Sequence, residues 1–154
     1  MEEYLHRGIA YLEKKEYDKA IAAFSRAIEL DPNSAEAYYN RSSVYGKKGE
    51  YDAAIADCNK AIGLNPNYAN AYLSRGSAYL EKRQYDRAIR DCDRAIELNP
   101  NFALAYFTEG IVWYREGLYY TALAKLRKCI EVSQDPSLTQ FAKQLLEEPK
   151  LMGT

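Results

Sequence analysis

Residues 35–68, AEAYYNRSSVYGKKGEYDAAIADCNKAIGLNPNY, recur in altered form as residues 69–102, ANAYLSRGSAYLEKRQYDRAIRDCDRAIELNPNF. The same 34-residue step returns tyrosine, alanine and proline to fixed places along the chain: Tyr4, Tyr38, Tyr72 and Tyr106; Ala20, Ala54, Ala88 and Ala122; Pro32, Pro66 and Pro100. A fixed period of roughly 20–50 residues indicates a solenoid, in which each unit buries its apolar face against its neighbours. Such an array offers an extended concave surface, so binding is a better first hypothesis than catalysis.

Each unit has the pattern of a helix, a tight turn and a second helix. In the first unit, two apolar series at helical spacing flank residues 15–17. Each predicted helix spans only about 13 residues, too few for a stable isolated helix, so packing between helices must hold it. Gly8 and Ala20 are small where two helix axes have to approach closely, and Phe24 is large where a gap needs filling.

The connections between units also carry a repeated pattern. Each of the first three units ends its second helix near a proline, because proline cannot donate the hydrogen bond that a continuing helix requires. The asparagine after each proline is predicted to form a turn and to cap the next helix: Asn33, Asn67 and Asn101.

These positions carry a family resemblance. The first unit holds Tyr4, Gly8, Tyr11, Ala20, Phe24, Ala27 and Pro32, which resembles the tetratricopeptide repeat pattern. The resemblance covers units 1–34, 35–68, 69–102 and 103–136, and it implies an all-α fold, a right-handed α-solenoid of antiparallel helix pairs. Position 7, often leucine in the family, departs from the pattern with Arg7, Arg41, Arg75 and Glu109. We interpret this departure, and the cysteine or leucine at position 24, as changes of packing size.

Both ends of the array have distinct residues. Position 3 is alanine in the later units but Glu3 in the first, which suits a surface with no unit before it. After the fourth unit, one apolar stripe predicts a capping helix over residues 137–147: Leu138, Phe141, Ala142, Leu145 and Leu146. We therefore expect a single domain, residues 1–147, followed by a frayed tail, residues 148–154.

Composition narrows the classes of function. The net charge is −1 and the isoelectric point is near 5.9, which argues against binding to a phosphate backbone. No apolar run approaches the ~20 residues of a membrane span, and the N-terminus lacks the pattern of a signal peptide. Cys58, Cys92 and Cys129 are odd in number, so we interpret them as reduced thiols in the core, as expected in the cytoplasm.

The sequence has no recognisable catalytic or metal-binding motif. His6 is the only histidine, and it does not stand at metal-ligand spacing from the cysteines. Phosphate-binding loops and nucleophile elbows are also missing. Carboxylates on the second helices alternate with lysine and arginine, which we interpret as a solvated outer face: Asp52, Asp57, Asp86, Asp91 and Asp93. We therefore expect neither an enzyme nor a bound cofactor or metal.

The family resemblance implies that the first helices line a concave groove, chiefly through positions 2, 5, 6, 9, 12 and 13 of each unit. Positions 5, 6 and 9 then give the candidate partner-binding residues Leu5, His6, Ile9, Tyr39, Asn40, Ser43, Leu73, Ser74, Ser77, Phe107, Thr108 and Ile111. They form an apolar stripe beside small polar groups, and Glu2 and Glu36 make the N-terminal half acidic. Such a stripe is typical of a partner site. The alternative is that single residues, such as Leu5 or Phe107, only pack neighbouring helices.

The leading hypothesis is a non-enzymatic adaptor that binds an extended or helical segment of a partner protein, with Asn40 meeting the main chain of that segment. The alternative is a structural module that self-associates or assembles a larger complex, although we expect a monomer rather than a homodimer. The clamp with which relatives hold acidic chaperone tails is matched only at Asn40, since its positions hold Leu5, Ile9, Asn40, Asn70 and Ser74. Nucleic acid is not an expected partner, because the 35-residue repeat and the basic groove of related RNA-binding arrays are missing. Membrane is not an expected partner either, because no apolar run is long enough to span one.

Overall fold

The computed structural model describes residues 1–147, and the predicted frayed tail, residues 148–154, lies outside the described residues. Within that range the chain forms nine α-helices and no strand: α1 (Glu2–Glu13), α2 (Tyr17–Leu30), α3 (Ala35–Lys48), α4 (Tyr51–Leu64), α5 (Ala69–Glu81), α6 (Tyr85–Leu98), α7 (Ala103–Arg115), α8 (Tyr119–Val132) and α9 (Pro136–Leu146). The prediction of an all-α fold built from helix pairs is confirmed. None of the helices in this range has both the length and the apolar character that a membrane crossing needs.

One tight turn joins the two helices of every unit. Residue 15 of each unit has a positive φ, 59° at Lys15, 78° at Gly49, 57° at Arg83 and 80° at Gly117. The next amide closes the turn by donating to the carbonyl five residues earlier, as from Glu16 to Tyr11 at 2.9 Å. Glycine adopts this conformation freely, whereas for a residue with a side chain it costs about 1 kcal/mol.

The connection between units differs from the prediction in one respect. The asparagines Asn33, Asn67 and Asn101 do form turns, but the N-cap residues are Ser34, Tyr68 and Phe102. In the first connection the Asn33 amide donates to Asp31 Oδ1 at 3.0 Å, and the other two connections repeat this contact. The turn therefore uses the asparagine backbone and places the helix start one residue later, so the N-cap prediction is wrong.

Positions 8 and 24 are where the two helices of a unit meet, and their sizes compensate. A methyl group on Gly8 would overlap the Phe24 ring, and one on Gly110 would come within 2.9 Å of the leucine opposite it. In unit two the pair is Ser42 and Cys58, whose thiol lies 3.3 Å from the serine hydroxyl. Variation at position 24 is therefore a change of packing size, in agreement with the sequence-based interpretation.

Units two and three each bury a charged pair that the sequence-based interpretation missed. Arg41 meets Asp57 through hydrogen bonds of 2.7 and 2.8 Å, and Arg75 meets Asp91 through bonds of 2.8 and 2.7 Å. The two aspartates are only 6% and 5% exposed. Their assignment to a solvated outer face is wrong, and so is the view of arginine at position 7 as a packing change. Position 23 faces the first helix of its own unit, where a carboxylate needs a cation.

The same two arginines also link neighbouring units. Arg41 Nη1 donates to Ser25 Oγ at 2.9 Å, and Arg75 Nη1 donates to Asn59 Oδ1 at 2.6 Å. The hydrogen bonds to the aspartates raise the pKa of both guanidinium groups, so the arginines remain charged. Each arginine thus ties three helices together.

A lysine near the end of the first helix adds a second link. Lys48 Nζ lies 2.7 Å from Asp18 Oδ1 of unit one, and Lys82 pairs with Asp52 of unit two. We call the contact between one unit and the next a joint, and we number the joints one to three. Joints one and two each have an arginine link and a lysine link.

In unit four the charges are reversed. Glu109 replaces the arginine, and its Oε1 lies 2.7 Å from Lys125 Nζ and accepts from Trp113 Nε1 at 3.1 Å. Glu109 is 2% exposed, and its Oε2 has no hydrogen-bond partner among the described residues. Glu116 stands where Lys48 and Lys82 form the lysine link, and it lines an open recess together with Asp86. Neither Glu116 nor Asp86 forms an ion pair within residues 1–147. Joint three therefore has neither link.

The C-terminal helix α9 packs against α8. Ala142 is buried, and three leucines of α9 pack on the cluster around the buried core of α8: Leu138, Leu145 and Leu146. The prediction that Phe141 shares this stripe is wrong, since Phe141 is 61% exposed. A helix turns about 100° per residue, which places Phe141 to one side of the stripe centred on Ala142.

Candidate functional site

An open furrow of about 420 Å³ runs between α3 and α5, the first helices of units two and three. Its walls combine apolar, hydroxyl and amide side chains with two charged groups: Tyr39, Ser42, Ser43, Gly46, Lys47, Tyr51, Asn70, Leu73, Ser74, Ser77, Ala78, Glu81, Phe102 and Leu104. The furrow is a surface groove shared by two units rather than an enclosed cavity, as expected for a solenoid.

The furrow lies at joint two because the side chains there are smaller than their equivalents elsewhere. Position 12 is Leu12, Gly46, Leu80 and Tyr114 in the four units. At joint three, Leu80 is buried in a cluster with Val112. At joint two the equivalent residues are Gly46 and Ala78, and both line the furrow. A methyl group added to Gly46 would have no neighbouring atom within 4 Å, so this glycine leaves open space.

The two ends of the furrow differ in charge. At the C-terminal ends of α3 and α5 stand Lys47 and Glu81, and Glu81 Oε1 lies 3.5 Å from Arg115 Nη2 of unit four. Lys47 forms no ion pair with any residue in the described range. At the N-terminal ends of the helices stand Asn70 and Leu104, the latter 45% exposed. The lining is therefore cationic at one end and neutral and partly apolar at the other, where Glu36 is exposed outside the lining.

An aromatic pair supports one wall of the furrow. The Tyr39 and Tyr68 ring centroids lie 5.0 Å apart, with 48° between the ring planes. Burial, with smaller contributions from Tyr39 and Glu36, raises the pKa of Tyr68 to about 12. The Tyr68 hydroxyl therefore remains protonated at neutral pH, and the pair presents a neutral aromatic wall.

The furrow brings together five of the residues proposed from the sequence: Tyr39, Ser43, Leu73, Ser74 and Ser77. Leu5 and Leu73 are buried, so they offer little surface to a partner and serve mainly to pack neighbouring helices. Thr108 is also buried, and its hydroxyl donates to the Leu104 carbonyl at 2.9 Å.

The remaining proposed residues lie outside the lining of this furrow. His6 and Ile9 are exposed on α1 of unit one, and Asn40 is half-buried on α3. Phe107 packs against the core of α8, and Ile111 packs against the cluster around Leu80. The proposed residues therefore extend over all four units, whereas the open furrow is confined to the middle of the array.

Nine furrow residues were not among the candidate partner-binding residues named from the sequence: Ser42, Gly46, Lys47, Tyr51, Asn70, Ala78, Glu81, Phe102 and Leu104. The informative signal was available at position 12, where one glycine stands among two leucines and a tyrosine. A glycine that interrupts a row of large side chains at a joint marks either a close approach or an open space, and the structure shows the open space.

The cysteines are buried and carry no disulfide within the described residues. Burial raises the pKa of Cys58 and of Cys129 to about 11, and it also raises the pKa of Cys92. The thiolate is the nucleophilic form of cysteine, so all three remain protonated and unreactive at neutral pH. Their role is to pack the helix pairs.

Family models match the middle of the chain. A model described as TPR repeat matches residues 8–49, and one described as tetratricopeptide repeat matches residues 35–68 and 69–102. The last two ranges have the same bounds as the second and third units. No curated protein matches the chain.

Several solved structures resemble the array over most of its length. A MamA crystal structure is 33% identical over 85% of this chain and 77% of its own, with a TM-score of 0.77. The first TPR of Spaghetti (RPAP3), bound to the HSP90 peptide SRMEEVD, is 29% identical over 73% of this chain and 90% of its own, with a TM-score of 0.71. TTC0263, a TPR protein of Thermus thermophilus, shares the fold, with a TM-score of 0.85 at 19% identity over 99% of this chain and 86% of its own. The α-solenoid architecture is thereby confirmed.

Proposed function

This chain belongs to the tetratricopeptide repeat family, and on that premise we propose that it is a non-enzymatic adaptor that binds a segment of a partner protein in the furrow at joint two. The observation that carries the proposal is the furrow itself, an open groove that combines apolar walls with hydroxyl and amide groups. A similar array, the first TPR of RPAP3, holds a peptide. These features suit recognition of a peptide main chain and a few side chains.

The polar groups of the furrow suit main-chain recognition. Asn70 offers both a donor and an acceptor, and Ser74 and Ser77 offer hydroxyls along the same helix. In this proposal, a partner's peptide groups pair with these side chains, and its apolar side chains lie against Tyr39. Asn40, the main-chain contact expected from the sequence, lies outside the furrow lining and would contact only a longer segment.

The acidic tails of chaperones are not the ligand that we propose. The positions that hold the cations of the clamp in relatives are occupied by neutral residues here: Leu5, Asn70 and Ser74. Glu36 is exposed at the N-terminal end of α3 and would repel a strongly acidic peptide. A peptide that binds this furrow therefore differs from SRMEEVD in its charge.

The adaptor proposal is tested with peptides selected on the purified chain from a phage-displayed library of random short peptides. Ser77→Arg places a long charged side chain in the furrow, and Ala56→Arg places the same side chain on the exposed side of α4. We expect Ser77→Arg to abolish binding of the selected peptides and Ala56→Arg to preserve it, as measured by fluorescence anisotropy. Equal binding to both variants would place the ligand elsewhere and contradict the proposal.

One observation favours a second candidate, a structural module that docks through its C-terminal part. Tyr120 is 90% exposed, and Leu118 and Phe141 are also exposed around α8 and α9. Exposed aromatic side chains of this size are typical of protein contacts. Light scattering on the wild-type chain and on a Tyr120→Ser, Phe141→Ser double variant tests this candidate. A wild-type oligomer that the double variant dissociates would support it, and a monomer in both cases would contradict self-association.

A further inference from the structure

The furrow has room for a large side chain that the chain itself does not provide. At joint three, Leu80 is buried beside Val112, and at joint one the equivalent Leu12 packs into the core cluster of unit one. At joint two, the same two positions are Gly46 and Ala78. The apolar contact that fills the other joints from within is therefore missing at joint two.

A third difference enlarges this space. Ile111 packs beside the Leu80 cluster at joint three, and Ser77 takes its place at joint two. Tyr51 is retained, equivalent to Tyr85 of that cluster, and its side chain lines the furrow. The space at joint two therefore has the same aromatic wall as joint three but lacks the aliphatic side chains that cover this wall there.

We propose that the partner segment inserts a side chain of leucine, methionine or phenylalanine size into this space, between Gly46, Ser77 and Tyr51 and above the buried Ala78. The inference rests on the proposed function and names the ligand group that the furrow selects. An apolar group fits because most of the exposed lining is carbon, and water beside it would be released when the group enters. The inserted side chain would stand where Leu80 stands in the next unit.

The charge of Lys47, beside this space, favours an acidic residue next to the apolar residue of the partner segment. Lys47 follows Gly46 directly and has no ion pair within residues 1–147, whereas Glu81 across the furrow pairs with Arg115 at 3.5 Å. A single carboxylate on the ligand would meet an uncompensated cation at Lys47, and a cation there would be repelled. The partner segment therefore combines one large apolar residue with an acidic neighbour.

Two glycines allow this inference to be tested without strain on the fold. Gly46 has no positive φ, and a methyl group added to it would have no neighbour within 4 Å. The same holds for Gly63, which is exposed on α4 outside the furrow. Both lie within helices, where any ordinary side chain has a higher helix propensity than glycine. Gly46→Leu and Gly63→Leu are therefore a matched pair.

The experiment measures binding of peptides selected on the wild-type chain from the phage-displayed library. We expect the selected peptides to be enriched in leucine, methionine or phenylalanine next to aspartate or glutamate. A synthetic peptide of this kind should bind Gly63→Leu like the wild-type chain and bind Gly46→Leu at least about tenfold more weakly. The graded series Gly46→Ala, Gly46→Val and Gly46→Leu should weaken binding step by step, while the melting temperature stays equal or rises.

The outcomes separate this inference from the proposed function. If Gly46→Leu binds the peptides like the wild-type chain while Ser77→Arg does not, the furrow binds partners without the inserted side chain, and only this inference is wrong. If both variants bind normally, or if no peptide is selected above the display background, both the inference and the adaptor proposal are wrong.

Discussion

Arg75 and Glu109 occupy the same place in neighbouring units, yet they connect their surroundings in different ways. Arg75 binds Asp91 of its own unit through two hydrogen bonds, and its remaining nitrogen reaches Asn59 of the unit before. Glu109 binds Lys125 of its own unit, and its second oxygen has no partner among the described residues. Units two to four therefore place opposite charges at positions 7 and 23, and either sign serves, whereas unit one has Arg7 and Ala23 at these positions.

The reversed pair changes how joint three is held. Position 25, which accepts a hydrogen bond at the first two joints, is Asp93 before unit four, and a carboxylate cannot donate to Glu109. The lysine link is lost as well, since Glu116 stands where Lys48 and Lys82 pair across joints one and two. Joint three retains the apolar cluster around Leu80 and a pair at the furrow between Glu81 and Arg115. We therefore expect unit four and α9 to separate from the rest of the array first.

The largest expected effect comes from removing the cover of unit four. Units one to three are each covered by the next unit, whereas unit four is covered by α9 through Ala142 and three leucines. A chain that ends at Asp135 should lose roughly 3–6 kcal/mol of stability in its last unit, because these apolar contacts are lost. Urea unfolding followed by circular dichroism measures the loss. A truncated chain that unfolds like the full chain would show that unit four needs no cover.

The next largest effect is expected when the buried charged pair of unit three is broken. Asp91→Asn removes the negative charge that Arg75 faces, and the arginine is too enclosed to be fully hydrated elsewhere. We expect the free energy of unfolding to fall by about 2–4 kcal/mol. Urea titration against the wild-type chain measures this change, and Asp93→Asn, on an exposed neighbouring carboxylate, is the control.

The equivalent change in unit four should cost less. Glu109→Gln leaves Lys125, which is more exposed than Arg75, free to turn toward water. A neutral glutamine is also easier to bury than a carboxylate with an oxygen that has no partner among the described residues. We expect a loss of about 1 kcal/mol or less in the same titration. Equal losses for Asp91→Asn and Glu109→Gln would mean that the two pairs are equivalent despite their different connections.

The smallest expected effect comes from restoring the lysine link at joint three. Glu116→Lys restores at joint three the lysine found at joints one and two, opposite Asp86. Because the pair would be exposed, we expect a gain of only about 0.5 kcal/mol, which should shrink at high salt. Differential scanning calorimetry at two salt concentrations measures it. Lys82→Ala, which removes the existing link at joint two, should give a loss of similar size.

The helices and the repeat were predictable because they follow from local periodicity. Apolar residues at helical spacing and a strict step between units locate each helix. Each unit packs only on its neighbours, so no long-range contact overrides this local pattern. Phe141 was assigned to the buried stripe because the spacing i, i+3, i+4 spans a wide arc. How α9 packs on α8 decides which side of that arc is buried, and this cannot be read from the spacing within α9.

The buried charge pairs were not predicted, although a signal for them existed. Arginine at position 7 and aspartate at position 23 stand 16 residues apart in units two and three. In unit four both signs change together, to Glu109 and Lys125. Periodicity within one helix assigns a residue to a face, but it does not say which neighbour that face meets. A comparison between units would have supplied that information.

The candidate site was predictable in part. Tyr39, Ser43 and Ser77, which the family resemblance implied for the groove, line the furrow, and their role in binding stays a prediction. It could not say which stretch of the array is open, because openness depends on side-chain volume at three positions of a joint rather than on any one residue. Gly46, Ser77 and Ala78 are ordinary residues separately, and together they leave the space at joint two.

The links between units also bear on how the chain folds during its synthesis. The buried pairs join residues 16 apart, the lysine link spans 30 residues, and the pair between Arg115 and Glu81 spans 34, the largest separation among the hydrogen bonds and ion pairs of the described residues. A unit leaving the ribosome therefore acquires all its polar partners once one further unit has emerged. We therefore expect vectorial folding, in which each completed unit provides the surface on which the next unit packs.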